Sequence, residues 1–114
     1  MAIDLPGSGG KAGTVFAVAG WAIDPATSSG SGVDWVDVWA YPNPGSGTAA
    51  RYVGSATLGF ARPDVAAAFG PSGAASGYAL TGTLPPGMYD LVVFARSSVT
   101  GTFNDYQVVR VTIK

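Results

Sequence analysis

The sequence predicts an all-β domain, a sandwich of short strands, and three observations predict it. The chain carries 17 glycines and 8 prolines but only 11% charged residues, a composition of many strands and tight turns rather than helices. The segment Gly32 to Tyr41, GVDWVDVWAY, alternates with a period of two: Val36, Val38 and Ala40 share one face, and Trp35, Asp37, Trp39 and Tyr41 share the other. Comparable apolar runs recur at regular spacing along the chain, each bounded by glycine, proline or aspartate. A length of 114 residues fits one domain, residues 1–114, large enough to bury roughly two-thirds of its unfolded surface in a single core.

Taken in order, Ala2 to Leu5 reads as a short edge strand stopped by Pro6 and the loop GSGGKAG. In TVFAVAGWAID, Phe16, Val18, Gly20 and Ala22 alternate with Val15, Ala17, Ala19, Trp21 and Ile23. Both faces are apolar, which places this strand inside a sheet, and Gly20 marks the close approach of a neighbour. Asp24-Pro25 ends it, because proline cannot donate to a ladder. GVDWVDVWAY follows and is expected to be the central strand. Arg51 to Leu58 is a weaker strand carrying Tyr52 among small residues.

FARPDVAAAFG breaks the β pattern. Pro63 suits a first helical turn, Asp64 suits the positive end of the helix dipole, and Gly70-Pro71 stop it, so a short helix is expected near 63–69. SGYALTGTL is a strand with Tyr78, Leu80 and Gly82 inward. In LPPGMYDLVVFARS a Pro-Gly turn precedes a strand in which Tyr89, Leu91, Val93 and Ala95 alternate with Asp90, Val92, Phe94 and Arg96. Its Gly-x-Tyr suits a tyrosine corner, where the hydroxyl satisfies a nearby backbone group. Phe103 to Ile113 completes seven to eight strands. This last strand is apolar on both faces, and an exposed edge there invites pairing with a second copy.

Composition excludes several function classes. There is no histidine and no cysteine, and all seven acidic residues are aspartate, so the usual general bases, thiol chemistry and the commonest metal ligand are missing. The expectation is a non-catalytic protein without cofactor or metal. A net charge of -1 with scattered basic residues does not make a nucleic-acid surface. No stretch has the length and apolarity of a membrane span, and MAIDLPGSGG lacks the charged and apolar regions of a secretory leader, so the chain reads as a domain from something longer.

GWAID, SGVDWVDVWAY, RPDVAAAFG, SGYAL, LPPGMYDLVVFARS and a final V-x-V strand, in that order and spacing, resemble the immunoglobulin-like domains that serve as modules of large secreted or surface bacterial proteins. The resemblance implies an immunoglobulin-like Greek-key sandwich, a secreted or cell-surface setting, and neighbouring domains of a longer chain, surface proteins or polysaccharides as partners. It implies no catalytic residue, and the absence of a cysteine pair sets this chain apart from antibody-type domains.

The main candidate site is the aromatic face of the Gly32–Tyr41 strand. If that strand pairs with the penultimate one, Trp35, Trp39 and Tyr41 share a face with Phe94. Two fates are open to these rings. The 60–70 segment carries its own apolar side chains, Phe60, Val65 and Phe69, and is expected to fold across them, making the domain a structural or interaction module. The alternative is an exposed stacking platform for a carbohydrate. Two further candidates are weaker. Asp24, Asp34 and Asp37 lie near strand ends without the spacing of a calcium loop. Lys11 and Asn104 sit at opposite ends of the chain, as an intramolecular isopeptide would require, but neither has the sequence surroundings of a buried pair.

Overall fold

The computed structural model describes all 114 residues, Met1 to Lys114. Nine strands and one short helix follow in the order β1 (Ala2–Leu5), β2 (Gly10–Ala12), β3 (Val15–Trp21), β4 (Val33–Pro42), β5 (Arg51–Ser55), β6 (Thr57–Phe60), α1 (Pro63–Phe69), β7 (Gly77–Thr83), β8 (Gly87–Ser97) and β9 (Phe103–Ile113), with a single 3-10 turn at Pro71–Gly73. The strands form a four-stranded sheet in the order β1-β3-β7-β6 and a five-stranded sheet in the order β2-β9-β8-β4-β5. All pairs are antiparallel except β2, which runs parallel to the end of β9.

The alternation read from the sequence decides which side chains meet between the sheets. Val36, Val38 and Ala40 of β4, Leu91 and Val93 of β8, and Val111 and Ile113 of β9 face Phe16 and Val18 of β3 and Tyr78 of β7 in one core. Each aliphatic side chain fully withdrawn from water there contributes roughly 1.5–3 kcal/mol. The polar groups in this core are satisfied. The Tyr78 hydroxyl donates to the carbonyl of Ala2 at 2.9 Å, and the Tyr89 hydroxyl donates to the carbonyl of Pro85 at 2.8 Å. No buried side-chain nitrogen or oxygen lacks a partner.

Gly20 explains how β1 reaches β3. A Cβ at that position would overlap the Ala2 carbonyl oxygen and lie 2.7 Å from the Tyr78 hydroxyl, so only glycine lets the first strand and the tyrosine close on each other. The helix spans Pro63–Phe69 as expected, opened by Pro63 and closed at Gly70, whose φ of 89° suits a residue without a side chain.

Three features differ from the sequence expectation. The central strand of the larger sheet is β8, flanked by β9 and β4, while β4 lies one place further out beside β5. The segment Arg51–Leu58 is not one strand: β5 pairs with β4 in the larger sheet, and after Ala56 the chain crosses to pair with β7 as β6 in the smaller. The glycine loop after Pro6 contains β2, three residues too few to carry a periodic signal, held by their tertiary pairing with Val111–Ile113. As expected, β3 lies inside its sheet, between β1 and β7, with Val15 on its outer face exposed. No helix is long and apolar enough to cross a membrane.

Candidate functional site

The outward face of the five-stranded sheet gathers the four predicted aromatic residues. On β4 the odd-numbered residues must turn outward because Val36, Val38 and Ala40 are completely buried on the other side. The β4–β8 register then sets Trp39 opposite Val92, Asp37 opposite Phe94, and Trp35 opposite Arg96, so Trp35, Trp39, Tyr41 and Phe94 lie on one surface. Trp35 is 45% exposed and Tyr41 41%, while Trp39 and Phe94 are half-buried between their neighbours.

Three more rings complete the face, and sequence reasoning did not assign them. A bulge in β5 sets Tyr52 opposite Trp39, with ring centroids 5.0 Å apart and planes at 57°. Tyr106 of β9 sits opposite Phe94, with centroids 5.9 Å apart and planes at 39°. Phe103 lines a shallow depression of about 290 Å³ together with Asp37, Trp39 and Phe94. The alternation of β9 carried the signal for Tyr106. Tyr52 had none, because its place depends on a bulge in a strand that changes sheets.

Asp37 organises this surface. Its Oδ1 accepts the indole N–H of Trp35 at 2.8 Å and the hydroxyl of Tyr52 at 3.0 Å, fixing two rings from one atom and leaving Oδ2 without a protein partner. Desolvation and then the Asp37 carboxylate push the Tyr52 phenol above its usual range. Paired charges border the face. At one end Arg96 makes two hydrogen bonds to Asp34, at 2.9 and 3.2 Å, and lies 6.0 Å from the centre of the Trp35 ring. At the other Arg110 holds Asp90 in the same two-pronged way. The loop after β4 walls that end, and with Tyr41, Val92 and Val108 it forms a second depression of about 270 Å³. The arrangement offers rigid apolar rings, an acceptor oxygen among them, and a charged rim.

The expected cover is elsewhere. The segment 60–70 packs against the smaller sheet: Phe69 of α1 lies over Trp21 of β3 at 5.2 Å between ring centroids, Val65 is buried against Gly73, and Phe60 is on β6. Arg62 pins the helix by bonding both Asp4 of β1, at 2.7 Å, and Asp64, at 2.8–3.0 Å. The correction has a physical cause. The segment follows β6, which belongs to the smaller sheet, so its apolar side chains meet Trp21 before they can reach Trp35, Trp39, Tyr41 or Phe94.

The remaining candidates do not assemble. Asp34 is engaged by Arg96, Asp37 by Trp35 and Tyr52, and Asp24 by the hydroxyl of the buried Ser97 at 2.5 Å and the amide of Ala26 at 3.0 Å. No three carboxylates converge. Lys11 stands opposite Thr112, at the far end of β9 from Asn104, which at strand rise is roughly 26 Å away. An isopeptide between them is out of reach.

The chain matches no protein-family model and no curated protein.

Proposed function

We propose that this chain is a non-catalytic immunoglobulin-like module that binds a polysaccharide through the outer face of its five-stranded sheet. The observation that carries the reading is the uncovered aromatic surface itself. Seven rings on one exposed face, braced by hydrogen bonds to Asp37 and by two Arg–Asp pairs, are more than a spacer needs. Exposed aromatic residues are costly to leave in water and are suited to stacking on the apolar faces of sugar rings, while the free oxygen of Asp37 accepts hydroxyls. The tilts of 57° and 39° between neighbouring rings make a corrugated trough, which favours a single soluble glycan chain over a flat crystalline surface.

The immunoglobulin-like Greek-key assignment rests on strand order and one corner. The order β1-β3-β7-β6 over β9-β8-β4-β5 follows the arrangement of such domains with one added strand, and Tyr89 bonds back to Pro85 as a corner tyrosine does. With this reading goes the setting that the sequence resemblance implies, a secreted or cell-surface protein with neighbouring domains.

The test is fluorescence titration with a panel of soluble polysaccharides, using a Trp21→Phe variant so that only Trp35 and Trp39 report. Saturable quenching or protection by one glycan, lost in Trp39→Ala and in Phe94→Ala, supports the proposal. Emission that no glycan alters, at concentrations where such modules saturate, removes the carbohydrate reading.

A further inference from the structure

The carboxylates on and beside the aromatic face are not equally neutralised. Asp34 and Asp90 are each gripped by an arginine through two hydrogen bonds, from Arg96 and Arg110 respectively. Asp37, which lies between them, meets no cation. Its Oδ1 braces Trp35 and Tyr52, and its Oδ2 has no protein partner. Bracing two rings needs only an acceptor, and the amide oxygen of an asparagine would supply one without a charge. A carboxylate among rings loses part of its hydration, a cost that an arriving cation offsets.

The surroundings of Asp37 suit the same charge. With Trp39, Phe94 and Phe103 it lines the depression of about 290 Å³, and the negative π-faces of such rings attract cations as the carboxylate does. The protein already uses this chemistry next door, where the Arg96 guanidinium stands 6.0 Å from the Trp35 ring. No cation of the chain is placed to fill the depression. Lys11 pairs with Thr112 at the level of Met88, roughly 20 Å along β8 from Phe94, which is opposite Asp37. Arg51, opposite the buried Ala40, belongs to the inner side of its edge strand. An anionic glycan would meet Asp37 unpaired, and arginines whose forks are already occupied.

We infer that the glycan of this face is a cationic one, a chain of β-linked glucosamine with free amines, and that Asp37 takes one ammonium group into the depression. The inference rests on the glycan reading and names its substrate class. An equatorial amine projects from the rim of a pyranose in the plane of the ring, so a sugar stacked on one side chain presents the amine to a neighbour of that side chain. Trp39 and Asp37 stand in that relation, two residues apart on one face of β4 and so roughly 7 Å apart. The ammonium donates to Oδ2 while Oδ1 keeps its bonds to Trp35 and Tyr52. Acetylation of the amine removes both the charge and the reason for a carboxylate at this position.

Fluorescence titration of the Trp21→Phe protein with β-1,4-linked oligomers of glucosamine, N-acetylglucosamine and glucose, equal in length and in mildly acidic buffer, tests it. The glucosamine oligomer is expected to bind about tenfold or more tightly than the other two. Asp37→Asn, which keeps the acceptor and loses the charge, should erase that preference and leave the three oligomers alike. Asp64→Asn, the same change of net charge on the opposite sheet, should preserve it. Equal or tighter binding of a neutral oligomer overturns the inference and leaves the glycan reading standing, whereas no binding of any oligomer removes both. A preference that survives Asp37→Asn, or that falls equally in Asp64→Asn, overturns the inference as well. So does polylysine binding as tightly as the glucosamine oligomer, since the face would then take ammonium groups without regard to the sugar.

Discussion

The two outer faces of this molecule, one on strands of 4 to 7 residues and the other on a sheet whose main strands run 10 or 11, present different surfaces. The smaller sheet shows small residues, Ala17 and Ala19 of β3 against Ala79 and Thr81 of β7, and of its two large rings Trp21 is covered by Phe69 while Phe60, 48% exposed, borders a shallow depression beside Ala17 and Ala79. The larger sheet shows Trp35, Trp39, Tyr41, Tyr52, Phe94 and Tyr106 with no segment over them. The chain thus possesses a device for covering an aromatic residue and applies it to one face alone. The difference teaches that the exposed rings are not a shortage of covering chain: α1 is anchored to the other sheet by Arg62, and the loops of the larger sheet frame the aromatic face instead of crossing it.

The contrast is open to experiment, and the largest effect is expected on the binding side. If the proposed glycan binding holds, Trp39→Ala should weaken it by tenfold or more, because Trp39 lies at the centre of the face, while Ala79→Ser on the opposite face should leave it unchanged; equal losses would erase the distinction between the faces. On the smaller sheet, Gly20→Ala should destabilise the fold by roughly 2–4 kcal/mol, read by urea denaturation, since the new Cβ meets Ala2 and the Tyr78 hydroxyl and forces β1 away. Trp21→Ala should cost about 1–2 kcal/mol, less than a fully buried aromatic because the pair with Phe69 is half in water. Trp35→Ala, by comparison, should change stability by about 0.5 kcal/mol or less, since an exposed ring held by one hydrogen bond gives up little on truncation. A Trp35 cost as large as that of Trp21 would mean that both rings are structural.

The smallest effect concerns pH. Hydrogen bonds from Arg62 lower the Asp64 carboxyl from 3.8 to about 2, those from Arg96 lower Asp34, and the Ser97 hydroxyl and Ala26 amide lower Asp24. A carboxyl whose folded pKa lies below its unfolded value contributes stability in full above that unfolded value and loses it as pH falls through the folded one. Thermal stability should therefore be level above about pH 4 and decline toward pH 2, and Asp64→Asn should shrink that decline slightly, these groups being exposed and screened. A midpoint that fell already between pH 7 and pH 5 would assign the acid sensitivity to other groups.

Local signals in the chain were enough for much of this. The period of two in β4 and β8 separated core from surface side chains correctly, because a strand offers only two faces and buried aliphatics claim one. Pro63 and Gly70 bounded the helix for reasons internal to the backbone, and Gly20 announced a close approach that the Ala2 carbonyl and Tyr78 make. The predicted Trp35, Trp39, Tyr41 and Phe94 do share a surface, since alternation and one strand pairing suffice to bring them there.

What alternation does not carry is which distant segment lies over which face. The covering of Trp21 by α1 follows from β6 crossing into the smaller sheet at Ala56, and the placing of Tyr52 beside Trp39 from a bulge in β5, both decided by register between segments far apart in the chain. The same holds for β2, three residues without periodicity that become a strand only against the end of β9. The sequence by itself determined the long strands, the residues that face the core and the outward set Trp35, Trp39, Tyr41 and Phe94, because these depend on neighbours a few residues away. Tertiary structure alone decided that the rings stay uncovered, because this depends on where the chain crosses from one sheet to the other.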